Sequence, residues 1–81
     1  MLHGMEQFRL VRIGSGDALD DLAFLTALSN DGSPSFSLDR SSAMLMNWPD
    51  FVRAASAVWL SLGPVDIFPD RVFVLPTGGI V

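Results

Sequence analysis

The chain contains no cysteine and no lysine, and it has a single histidine, His3. Without cysteine there is no disulfide framework, no thiolate nucleophile and no thiolate set for structural zinc. One histidine, three residues from the start, gives neither a Cys–His pair nor a Ser–His–Asp arrangement the parts it needs. Charge is also scarce, at 17% of residues, where about 25% is ordinary. What charge there is leans acidic, eight Asp and one Glu against five Arg, for a net −4. That balance argues against a phosphate backbone or an anionic lipid surface as the main partner, since both are met by clustered Lys and Arg.

Long apolar runs are missing as well. The longest uncharged apolar stretch, Ala54 to Val65, is well short of the roughly 20 residues a bilayer-crossing helix needs. Met1 to Phe8 lacks the basic start and apolar run of a secretory signal. The expectation is a soluble, cytoplasmic protein with no cofactor, no metal and no membrane attachment.

What is present is apolar. The 81 residues are 49% hydrophobic, a high share for a chain that can bury only roughly 60–65% of its unfolded surface. The length predicts a single domain over residues 1–81. A monomer of this size has difficulty hiding so much apolar surface, and association is the physical remedy.

Local patterns divide the chain. Glu6 to Ile13 alternates polar and apolar residues as a strand does, with Phe8, Leu10 and Arg12 on one side and Arg9, Val11 and Ile13 on the other. Asp17 to Ser29 is ambiguous. Asp17 with Asp20 resembles a helix N-cap, whereas the turn signal Asn30-Asp31-Gly32 and the alternation of Ser35–Leu38 favour a hairpin of Leu22–Ser29 with Ser35–Asp39. The hairpin is the preferred reading. Ala43 to Met46 is either a further strand or the entry to the next helix.

Trp48 to Leu62 reads as a helix from start to stop. Trp48, Phe51, Val52, Ala55, Val58, Trp59 and Leu62 form an apolar stripe at helical spacing. Asn47 caps its start with Asp50 in the first turn, and Gly63-Pro64 end it. Residues 65–81 then form an extended apolar arm or an edge strand, in which Pro69 and Pro76 bracket the β-rich Arg71 to Leu75. The order predicts an α+β fold: a small antiparallel sheet of three to five strands with one amphipathic helix packed on one face.

No motif for chemistry survives inspection. Gly14-Ser15-Gly16 lacks the third glycine of a dinucleotide fingerprint, since Leu19 stands there. Asp17, Asp20 and Asp21 lack the spacing and glycine of a calcium loop. An enzyme is not expected. Phe8, Arg9, Arg12, Phe36 and Arg40 could form an aromatic and basic sheet face for single-stranded nucleic acid, the alternative reading.

The leading expectation rests on the helix and the arm. Ala54, Ala57, Leu60 and Ser61 lie opposite the stripe, where a surface helix carries Lys and Glu, and from Ala54 onward the only charges are Asp66, Asp70 and Arg71. A helix apolar or small all round is buried on more than one side. The expected function is a small acidic non-catalytic protein-binding module, of the inhibitor, immunity or adaptor kind, that also self-associates. Its expected interface is Trp59, Leu60 and Ser61 on the helix with Ile67, Phe68, Val72, Phe73 and Val74 on the arm, meeting a second copy or another protein.

Overall fold

The computed structural model describes residues 5–13 and 22–80. The capping reading of Asp17 and Asp20, the Gly14-Ser15-Gly16 turn and His3 lie outside those residues. In chain order the elements are β1 (Met5–Ile13), β2 (Leu22–Leu28), β3 (Pro34–Ser37), a 3-10 turn (Arg40–Ser42), α1 (Trp48–Leu62) and β4 (Ile67–Val74). The strands form one antiparallel sheet in the order β3-β2-β1-β4, with α1 on one face. This is the α+β arrangement expected from the sequence.

The β2–β3 hairpin follows from its turn. Gly32 takes a positive φ of 87°, which a residue without Cβ adopts at no steric cost. Asp31 fixes the rest: its carboxylate accepts from the Ser29 hydroxyl and, at 2.9 Å, from the Ser33 N–H. Those bonds hold the Asp31 carboxyl down at about 2, because each donor favours the charged form.

Residues 44–46 are neither a full strand nor a helical entry. The β1–β2 ladder runs only from Val11–Ile13 to Leu22–Phe24, and beyond it the two strands part. The chain enters that gap. Met46 exchanges backbone bonds of 2.9 and 2.7 Å with Phe8, and the Met44 N–H reaches the Leu25 carbonyl at 2.9 Å. The wedge thus satisfies backbone groups that would otherwise be buried without partners.

α1 has the predicted bounds and caps. The Asn47 side chain accepts from the Asp50 N–H at 2.9 Å, and the Gly63 N–H closes on the Trp59 carbonyl at 2.9 Å. Its buried face is a correction. Phe51, Ala54 and Val58 face the sheet, and Ala54, expected on the outer side, is only 1% exposed. The helix has rolled about its axis, because Ala54 allows close approach to the sheet where the bulkier Trp48 and Trp59 would not. With Phe8, Leu10, Leu25 and Met46 those three residues make the core.

β4 runs antiparallel to β1 over eight residue pairs, from Met5–Val74 to Arg12–Ile67. The strand therefore passes through Pro69 instead of starting after it. Phe8 turns its backbone N–H and C=O toward Met46, away from β4. Since these directions alternate along a strand, Arg71 opposite Phe8, and Pro69 opposite Leu10, point theirs away from β1. Pro69 sits where no ladder bond is lost, on an edge strand as its chemistry requires.

Candidate docking surface

A four-stranded sheet is about 14 Å across between its outer strands, and one helix is about 10 Å wide. α1 lies on β1, reaches toward β3 and scarcely touches β4. The inner face of β4 is therefore only partly covered beside the helix: Ile67 packs against the core, while Pro69, Arg71 and Phe73 stay exposed. Cross-strand partners share a face, so Ile67, Pro69, Arg71 and Phe73, opposite Arg12, Leu10, Phe8 and Glu6, all belong to that inner side.

The roll of α1 supplies the other wall. The flank facing β4 carries Trp48, Val52, Trp59 and Leu62, which stay between 43% and 55% exposed. Between this flank and β4 lies an open groove of about 290 Å3. Phe51 forms its floor, and Val52, Ala55, Ser56, Trp59, Ile67 and Pro69 form its sides, so no ionisable side chain lines it. Trp59 is fixed at its mouth by a 3.0 Å bond from Nε1–H to the Val65 carbonyl. Trp48 stacks on Phe51 with ring centres 5.2 Å apart and meets Phe8 edge-on at 5.2 Å. Two indoles are thus held half out of the protein by specific contacts.

The eight residues expected to form one interface do not lie together. Trp59 and Ile67 share the groove, and Phe73 is on the same side of the sheet. Leu60 and Ser61 occupy the far flank of α1, near Asp31 and Gly32 of the hairpin turn. Phe68, Val72 and Val74 point to the sheet face away from α1, where Val72 is only 4% exposed. The reason is the pleat: an edge strand sends alternate residues to opposite faces. Strand addition along β4 is also opposed. Pro69 removes a donor from the free edge, and the Leu75–Ile80 turn folds back at its end, with Leu75 N–H bonded to the Gly79 carbonyl at 2.7 Å and Ile80 bridging Val74. Both devices blunt an edge strand.

The five residues of the nucleic-acid alternative separate in the same way. Phe8 is buried in the core. Arg12 lies over the Phe36 ring at 5.7 Å on the helix-facing side. Arg9 and Arg40 are on the opposite face, where both bind Oδ2 of Asp70, at 3.1 and 2.9 Å. No aromatic and basic platform results, because the β1 pleat puts Phe8 and Arg9 back to back.

Among the described residues no group of three or more His, Cys, Asp or Glu could hold a metal ion, and no helix is long and apolar enough to cross a membrane. Asp39, like Asp31, is held below the usual carboxylate range, chiefly by the Ser41 hydroxyl and N–H; both carboxylates cap turns and neither lines the groove. The sequence reasoning missed Val52, Ala55 and Pro69 as site residues. A signal for two of them was there: Trp48, Val52, Ala55, Trp59 and Leu62 are spaced four, three, four and three apart, the period of a helix–helix seam. Comparison with protein-family models, curated proteins and solved structures finds no match to this chain.

Proposed function

We propose that the chain is a non-catalytic protein-binding module that docks its partner in the groove between α1 and β4. The observation that carries this reading is the apolar flank of α1, with Trp48, Val52, Trp59 and Leu62 held about half exposed beside a partly uncovered strand. Apolar patches of this kind mark interaction sites, and Trp is the residue type that most often anchors them. Among the described residues the one hydroxyl of the groove wall, on Ser56, donates to the Val52 carbonyl at 3.1 Å, and no lining residue could act as a base beside it, which favours occupancy over catalysis. An acidic module of this size fits the inhibitor, immunity or adaptor type.

The test compares three immobilised baits in an extract of the source cell: the wild type, Trp59→Ala and Leu60→Ala. Trp59 stands at the groove, whereas Leu60 is on the far flank and 89% exposed. The reading predicts that Trp59→Ala loses the captured protein and that Leu60→Ala retains it. Equal capture by the wild type and Trp59→Ala would remove the groove from the account.

A further inference from the structure

We infer that the occupant of this groove is the α1 helix of a second copy of the chain, packed antiparallel to the first. The inference rests on the groove being the docking surface and adds the identity and register of what fills it.

Three observations lead there. First, the flank has two seams. Phe51, Ala54 and Val58 serve the protomer's own core, while Trp48, Val52, Ala55, Trp59 and Leu62 repeat at the spacing by which helices interlock. A helix needs only the first seam to fold against a sheet. The second has heptad spacing and is only partly covered by its own chain, with Ala55 against the core and Trp48, Val52, Trp59 and Leu62 about half exposed.

Second, the seam is complementary to itself when reversed. In antiparallel packing with the two-fold axis crossing the seam at the level of Ala57 along the helix, Ala55 of each copy faces Trp59 of the other, and Val52 faces Leu62. The largest side chain then meets the smallest, and the two intermediate ones meet each other, which is how facing layers fill space. Trp48 falls outside this overlap and keeps its stacking on Phe51 and Phe8.

Third, charge and shape permit a like-with-like contact. A chain of net −4 repels its copy unless the meeting surfaces are free of charge, and no charged residue lies between Ala54 and Val65. Trp59 and Val52 stand about 110° and 130° round the helix from the centre of the buried arc, so they point slightly away from the sheet.

The area sets the expected strength. Trp59, half exposed, offers roughly 100 Å2, and with the flanking residues each copy contributes roughly 400–500 Å2. The total of about 800–1,000 Å2 is the size of a weak, transient contact. A dimer with a dissociation constant on the order of hundreds of micromolar is expected, populated on concentration and lost on dilution.

The absence of cysteine makes the register directly testable. Val52→Cys and Leu62→Cys are made separately; both positions are about half exposed, and neither belongs to the buried core. Each variant is treated with a short bis-maleimide, alone and as a 1:1 mixture. The expected product is a cross-linked dimer in the mixture and little in either variant alone. Trp59→Ala in both partners should weaken dimerisation at least tenfold and abolish the cross-link. Self-cross-linking of each variant would indicate parallel packing and overturn the register. A wild type that stays monomeric at 1 mM would overturn the second copy as occupant. If that monomer still captured another protein in a Trp59-dependent way, the groove reading would stand without it.

Discussion

Replacing Asp70 by Ala should be among the most damaging single changes outside the apolar core. Asp70 accepts from Arg9 at 3.1 Å and from Arg40 at 2.9 Å through the same oxygen. The two arginines differ in setting, the Arg9 side chain being 9% exposed and that of Arg40 61%. Removing the carboxylate leaves the Arg9 guanidinium buried without its counter-charge. Breaking a buried pair from one side costs about 3–5 kcal/mol. Asp70 itself is partly open to water, so roughly 2–4 kcal/mol is expected. An 81-residue domain has a total stability of roughly 4–12 kcal/mol, and the melting temperature should fall by at least about 10 °C. Arg40→Ala removes only an exposed partner and should cost at most about 1 kcal/mol. Urea unfolding followed by far-UV circular dichroism measures both, with an unchanged m-value as the sign that only stability has moved. Equal midpoints for Asp70→Ala and Arg40→Ala would refute the reasoning, because burial of Arg9 would then have no energetic consequence. The double change Arg9→Met with Asp70→Leu should recover most of the loss, since apolar residues of similar volume replace a buried pair without penalty.

Three further outcomes follow from the same structure. Leu10→Ala, at a fully buried position, should cost about 3 kcal/mol, whereas Leu60→Ala should change urea stability by no more than about 0.5 kcal/mol. Gly63→Ala should cost more than about 1 kcal/mol, although a Cβ there meets nothing within 4 Å; the penalty comes from a φ of 80° combined with a ψ of −169°, a region that glycine alone adopts freely, so replacement by Asn should be no cheaper. Asp31 titrates at about 2 instead of 3.8; a pKa lowered in the folded state contributes stability above the unfolded value that is lost as pH falls through the folded one. The Ser29–Ser33 turn should therefore loosen between about pH 4 and pH 2, which a carboxyl carbon titration by NMR, compared with Ser29→Ala, would detect.

Much of the fold was legible because local signals agreed. α1 has a cap, a stripe and a stop that name the same fifteen residues, and the hairpin has a turn that names its own glycine. Two things were not legible. The orientation of α1 depends on which stripe can approach the sheet most closely, a choice between two apolar arcs that periodicity does not rank. The small Ala54 decides it, and that leaves Val52 and Trp59 outside. The sides of β4 depend on its register with β1, fixed by pairing across more than fifty residues. Reading the arm as one apolar unit grouped Ile67 with Val72, which the pleat puts on opposite faces. Arg9 and Asp70, 61 residues apart, likewise meet only because β4 lies beside β1. The surplus of apolar surface was visible in composition; its location required the sheet order.

The most direct test of a docking groove filled by a second α1 is the molar mass in solution as a function of concentration. Light scattering behind a sizing column should find the wild type moving from 8.8 kDa toward twice that value across the upper micromolar range. Trp59→Ala should stay at the monomer mass at the same concentrations. A wild type that remains at 8.8 kDa at 1 mM, or a Trp59→Ala variant that dimerises as the wild type does, would contradict the account.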